Sequence, residues 1–249
     1  MGKQAVLEVT DLYKNFGKLK IINRFSLSVF EGDRHAIIGP NGAGKTTIFN
    51  LLSGLHKVSH GSIVFKGQDI TGFPPHQINR IGIARSFQIT NVFPKLSVFE
   101  NVRPVLLSKH NVRYNLFKRV SKMEKITRES LAILDQVGLL EKKDVPAGFL
   151  SYGEQRALEV GITIASDPEV ILLDEPTAGM SIEETHKAID LIDRVTRGKT
   201  LIIIEHDMDV VFSIASVITV MHYGTVIATG EPETIRDDPQ IKKIYLGEK

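Results

Sequence analysis

Apolar and polar positions alternate from Val6 to Phe30, most clearly in Phe25-Ser26-Leu27-Ser28-Val29, and this period of two predicts half-buried antiparallel strands. Glu31-Gly32-Asp33 reads as a turn. The short apolar run Ala36-Ile37-Ile38 then leads through a glycine-rich stretch into a helical pattern beginning at Ile48-Phe49-Asn50-Leu51-Leu52. Gly61 to Gly67 reads as a strand ended by turns, a hairpin partner within the N-terminal sheet. Ile83 to Gln88 reads as a further strand running into a loop. From about Val98 to Lys143 the period becomes helical, with Ile126, Leu131, Ile133, Leu134 and Val137 at helical spacings and Gly138 placed to cap a C-terminus. Val170 to Leu173 and Leu201 to Ile204 are continuous apolar runs, as in parallel strands buried on both faces. Val217 to Thr229 predicts a hairpin turning at Tyr223-Gly224, followed by a short helix after Glu231-Pro232.

The 249 residues suit one large α/β domain with a helical insertion over about 98–160. Lysine plus arginine number 31 against 29 acids, and the net charge of +2 gives no reason to expect a nucleic-acid partner. Cysteine is absent, which excludes disulfides, thiolate catalysis and cysteine-ligated metals. The N-terminus lacks the apolar stretch of a secretory signal, and Val6 stands where a myristoylation motif needs Ser or Thr. The longest apolar runs are too short to span a bilayer, so work at a membrane would require other chains. Within the insertion, Arg103, Lys109, Arg113, Lys118, Arg119, Lys122, Lys125 and Arg128 outnumber the acids. A solvated helical face accounts for them; contact with anionic headgroups or a membrane partner is the alternative.

Gly39-Pro40-Asn41-Gly42-Ala43-Gly44-Lys45-Thr46-Thr47 fits the pattern G-x-x-x-x-G-K-T between a buried strand and a helix. Glycine lets the backbone bring successive N–H groups against phosphate oxygens, and the helix start adds its own unsatisfied N–H groups. Lys45 supplies a mobile charge for β and γ phosphates, and the Thr46 hydroxyl is a hard oxygen ligand for magnesium. Asp174 and Glu175 end an apolar strand. If that strand neighbours the phosphate-loop strand, one carboxylate is placed to serve the cation and the other to orient an attacking water. Ser151, opening the helix of Leu150-Ser151-Tyr152-Gly153-Glu154-Gln155-Arg156, is a candidate N-cap at an anion-favouring terminus.

These motifs, in this order over nearly the whole chain, resemble the ATP-binding subunits of ABC transporters. The phosphate loop is followed by Gln88 as the glutamine-loop residue, LSYGEQ as the signature, VILLDE, a D-loop at Ala178 to Ser181, and His206 as the switch histidine. The resemblance implies a P-loop NTPase of ABC type: a RecA-like core, an N-terminal antiparallel β subdomain and a helical subdomain. It implies ATP and Mg2+ as ligands. Phe16 would stack on adenine, Thr46 and Gln88 would ligate the metal, Asp174 would hold it, Glu175 would be the general base, and His206 would contact the γ-phosphate. Ser151 and Gly153 would reach the nucleotide of a second ATPase subunit, either an identical chain or a sister.

Tyr152 and Glu154 replace the family's glycine and glutamine, which adds bulk and a negative charge near the shared phosphate. Ser181 replaces an aspartate common in the D-loop. The C-terminal half, with Glu205-His206-Asp207, His222-Tyr223-Gly224 and Tyr245-Leu246-Gly247-Glu248, looks like the ATPase subunits of bacterial branched-chain amino-acid importers. That subgroup implies two membrane permeases, indirectly a periplasmic or extracellular binding protein, and a peripheral place on the cytoplasmic face of the inner membrane. The permeases would dock about Gln88 and Ile89 to Asn101, with Phe93 and Phe99 as candidate anchors. Lipopolysaccharide exporters, urea or amide importers and soluble ABC ATPases are alternatives. Glu175 and His206 disfavour a scaffold that does not hydrolyse.

Overall fold

The computed structural model describes residues 5–86, 92–112 and 123–246. The alternating N-terminal pattern forms β1 (Ala5–Phe16) and β2 (Leu19–Phe30), antiparallel in a register that sets Val9 opposite Leu27. Leu7, Val9, Leu12, Phe25, Leu27 and Val29 point inward, while Glu8, Thr10, Ser26 and Ser28 face solvent. β4 (His60–Phe65) pairs with the other edge of β1, and β5 (Gln68–Asp69) completes a four-stranded antiparallel sheet in the order β2-β1-β4-β5.

The second sheet holds β3 (Arg34–Ile38), β6 (Ile83–Arg85), β7 (Val170–Asp174), β8 (Thr200–Ile204), β9 (Val217–His222) and β10 (Thr225–Gly230). Its order is β10-β9-β3-β8-β7-β6, with β10 antiparallel to β9 and the remaining pairs parallel. The continuous apolar runs are explained by two cores. Ile37, Leu172, Ile202 and Ile204 face the antiparallel sheet and share a cluster with Phe25 and Phe49. Ala36, Ile38, Ile171, Leu173, Leu201 and Ile203 face the opposite way, into a cluster with Val102, Leu134 and Leu158. Each large apolar side chain contributes about 1.5–3 kcal/mol by leaving water, so neither face of these strands tolerates a polar residue without a partner.

The adjacency on which the sequence reading conditions the placement of Asp174 and Glu175 is not met. The strand ending in Asp174 is not the neighbour of the phosphate-loop strand, because β8 lies between β7 and β3. The acids still approach the loop, because the parallel arrangement brings the C-terminal ends of all these strands to one edge.

Helix α1 (Lys45–Leu52) follows β3, and α2 (Pro75–Arg80) precedes β6. The helical region comprises α3 (Val98–Lys109), α4 (Glu124–Gln136) and α5 (Tyr152–Ala165). Ser97 and Glu100 cap α3 reciprocally. Gly138, at a positive φ of 73°, ends α4: its N–H donates to Asp135 O, and that of Leu139 donates to Leu134 O. Helices α6 (Ile182–Val195), α7 (Met208–Ile214), α8 (Pro232–Asp237) and α9 (Pro239–Leu246) complete the chain. Of the basic residues noted above, Arg103 lies over the Phe99 ring, Lys109 pairs with Asp167 and Lys125 pairs with Glu129. Arg113, Lys118, Arg119 and Lys122 lie outside the described residues. Phe93 is exposed, whereas Phe99 packs against the core.

His35 sits fully buried on β3, with Nε2 at 2.7 Å from Thr219 Oγ1 and Nδ1 without a partner. Burial lowers its pKa from 6.5 to about 4, so the folded state holds it neutral. The unfolded chain takes up this proton first, and stability therefore falls as pH drops below 6.5 and stops falling on this account near 4. Urea unfolding across that window should show His35→Leu losing up to about 3 kcal/mol less than the parent. An identical pH dependence in both proteins would contradict the assignment.

Candidate nucleotide site

The loop after β3 is closed by contacts that leave no room for a side chain at Gly39 and crowd one at Gly44. A Cβ on Gly39 would lie 2.3 Å from Met221 O, and one on Gly44 would lie 2.7 Å from Ile22 Cδ1. Gly44 is also the left-handed N-cap of α1, with φ of 100°. The β9–β10 turn backs the loop: the Gly224 N–H donates to Ala43 O at 2.9 Å. Tyr223 and Gly224 both have positive φ, as the predicted tight turn requires. A cavity of about 370 Å³ opens beside this loop, lined by Asn41, Gly42, Ala43, Gly44, Lys45, Thr46 and Thr47 together with Ile21 and Glu175.

Lys45 is buried, and its Nζ donates to Gly39 O at 2.6 Å and Pro40 O at 3.2 Å. Burial lowers its pKa, while Glu175 and Asp174 act in the opposite direction. The ammonium is thus held against the loop's own carbonyls, at the place where incoming phosphate oxygens could replace them. Pro40 contributes its carbonyl oxygen to this hold together with that of Gly39.

Asp174 is fully buried at the end of β7. Its Oδ2 accepts from Arg85 Nη2 at 2.7 Å, and its Oδ1 has no hydrogen-bond partner. Burial pushes the Asp174 carboxyl up, opposed by the neighbouring guanidinium. Arg85 also donates to Asn50 Oδ1 at 2.7 Å and Ser53 Oγ at 3.0 Å, so one guanidinium ties β6 and β7 to α1. The sequence reading missed Arg85, although a charged residue ending the apolar Ile83-Ala84 strand was a visible signal.

The donor set fits a magnesium ion brought in with phosphates. The buried Asp174 Oδ1 lacks a donor, and Thr46 lines the same cavity as Lys45. Among the described residues no group of three or more carboxylates or histidines could hold a metal alone, so phosphate oxygens and water would have to complete the shell. Gln88 lies outside the described residues.

Glu175 follows in the left-handed region, with φ of 48°, and its N–H donates to Ile204 O at 2.9 Å. Such strain in a non-glycine residue persists only where the surroundings enforce it. His206 Nδ1 lies 3.9 Å from Glu175 Oε1, so the two sequence-predicted residues do meet. A residue assigned no role from the sequence adjoins His206: Glu205 is fully buried, accepts the Thr177 N–H and hydroxyl at 3.1 and 2.7 Å, and accepts the His206 N–H at 3.2 Å. Its carboxyl is pushed up by burial.

Other expected residues stand apart from this cavity. Phe16, at the end of β1, is exposed and does not line it; its ring meets His56 edge-on at 5.3 Å and carries Lys14 Nζ at 4.7 Å. Ser151 and Gly153 open on a different cavity of about 400 Å³, between α5 and α6. Ser151 caps α5 by accepting the Glu154 N–H at 3.4 Å, and Glu154 returns the bond to the Ser151 N–H at 3.0 Å. The negative charge expected at Glu154 is already engaged: Lys142 donates to its carboxylate, which holds the carboxyl below its usual range. Ser181 likewise caps α6 with Glu184, a local role that an aspartate would also fill.

The sequence profile of the ABC transporter family matches residues 22–178. The high-affinity branched-chain amino acid transport ATP-binding protein LivG of Escherichia coli strain K12 is 37% identical over 98% of this chain and 99% of its own length. The corresponding protein BraF of Pseudomonas aeruginosa is 39% identical over the same shares. Among solved structures, the ADP conformation of MJ1267, an ATP-binding cassette of an ABC transporter, superposes with a TM-score of 0.86 at 31% identity, covering 98% of this chain and 100% of its own. A phosphate loop closed by backbone contacts, a buried aspartate with one open oxygen and a strained glutamate beside a histidine thus occur in a chain that matches such proteins end to end, and the chain belongs to the ABC transporter ATP-binding family.

Proposed function

We propose that this chain is the ATP-binding and hydrolysing subunit of an importer for branched-chain amino acids. The observation that carries the ATPase reading is the convergence of Lys45, Asp174 Oδ1, Glu175 and His206 on one edge of the parallel sheet. The curated relatives, matched over nearly their full length, support the transported substrate class.

In this reading the loop N–H groups and Lys45 bind the triphosphate, with Lys45 exchanging the Gly39 and Pro40 carbonyls for phosphate oxygens. Thr46, Asp174 and Gln88 would hold Mg2+, which would supply charge neutralisation at the β and γ phosphates. Glu175 orients the attacking water and takes its proton. His206, beside Glu175, contacts the γ-phosphate. Phe16 stacks on adenine from the end of β1, where its outward exposure leaves ring surface available. Ser151 and Gly153 act on the nucleotide of a second ATPase subunit, in keeping with their separation from the Lys45 cavity. Two permeases hold the pair at the cytoplasmic face of the inner membrane and receive substrate from a binding protein. In this reading the attachment is peripheral; no helix among the described residues is long and apolar enough to cross a membrane.

Glu175→Gln should lower steady-state ATP hydrolysis by about 100-fold or more while ATP still binds, measured by phosphate release and nucleotide titration. Parent-like turnover would contradict the general-base role. Affinity purification from native membranes in mild detergent should recover two multi-span permeases with a second ATPase subunit. A lipid-export permease pair, or a partner-free soluble ATPase, would contradict the importer reading.

A further inference from the structure

Tyr152 occupies the position in LSYGEQ where bulk beside a shared phosphate was expected. Its hydroxyl instead turns inward along its own chain and donates to Ala178 O at 2.8 Å. The same oxygen accepts from Arg156 Nε at 3.2 Å and Nη2 at 3.0 Å. A phenol oxygen offers two lone pairs and one proton. With both lone pairs facing Arg156, the proton has one direction left, toward Ala178. Arg156 is itself buried and fixed by Glu159 at 2.9 Å on the same helix. Gly179, with φ of 79°, brings the loop against the ring: a Cβ placed there would lie 3.6 Å from the Tyr152 hydroxyl.

The loop so held begins at Glu175. Ala178 N–H donates to Glu175 O at 3.2 Å, and Met180 N–H donates to Thr177 O at 3.2 Å. Thr177 is anchored to buried Glu205, and Ser181 starts α6. The segment 175–181 is therefore fastened to the sheet through Glu205 and to the N-terminus of α5 through Tyr152.

We propose that Tyr152 is a positioning residue for Glu175: its hydroxyl latches the 177–181 loop to the helix that carries Ser151 and Gly153, so displacement of that helix is transmitted to Glu175. A glycine at this position could make no such bond. The inference rests on the proposed role of Glu175, but the latch itself can be read without turnover.

The test compares Tyr152→Phe with the parent, as full-length chains in the assembly recovered from native membranes. Hydrogen exchange at the Ala178 and Met180 amides should accelerate in the variant, with the α5 interior unchanged. Turnover at saturating MgATP should fall about fivefold with KM within about twofold, the scale of one net hydrogen bond. Tyr152→Leu, which also removes the ring from Gly179, should show at least the same loss. Unchanged loop exchange in Tyr152→Phe would overturn the latch, and faster exchange with parent-like turnover would overturn the positioning role. Glu175→Gln separates the two readings: if it retained turnover the base assignment would fail, while the exchange result would still judge the latch.

Discussion

The buried carboxylate of Asp174 is the constraint on which the site depends. An isolated charge in this interior would be strongly disfavoured, and the Arg85 guanidinium at 2.7 Å offsets that cost on one oxygen only. The other oxygen stays buried without a donor, an arrangement that a cation and its waters would complete. Because Arg85 also holds Asn50 and Ser53, the same pair fixes the helix after the phosphate loop relative to the strand that carries Asp174. Removing either partner would disturb the helix after the phosphate loop as well as the proposed metal ligand.

Around that pair the fold supplies position rather than chemistry. Parallel strands deliver Lys45, Asp174, Glu175 and His206 to one edge, and the two cores on either side of the sheet make those strand ends rigid. The β9–β10 turn closes the phosphate loop from behind, with Met221 O where a Gly39 side chain would need to be. The helical region reaches this edge through Tyr152, whose hydroxyl joins the capped α5 terminus to the loop that follows Asp174 and Glu175.

Much of this was legible in the chain because the signals were local. The period of two in Phe25 to Val29, the G-x-x-x-x-G-K-T spacing and the acids closing an apolar run each follow from short-range rules. Strand order was not legible: nothing in Val170 to Asp174 says that β8 will separate it from β3, since adjacency depends on packing between distant segments. The partners of Arg85, Glu205 and Tyr152 were missed for the same reason, lying 89, 28 and 26 residues away in the chain. The engagement of the Glu154 charge by Lys142 was not read from the chain, because Lys142 lies 12 residues away and outside the helix.

The most direct measurement is a crystal structure of Glu175→Gln with MgATP. The account predicts a triphosphate cradled by Gly39 to Thr46, Lys45 moved from the Gly39 carbonyl onto phosphate oxygens, and a magnesium-bound water donating to Asp174 Oδ1. Nucleotide bound elsewhere, or an Asp174 Oδ1 that remains without a partner while the nucleotide is in place, would contradict it.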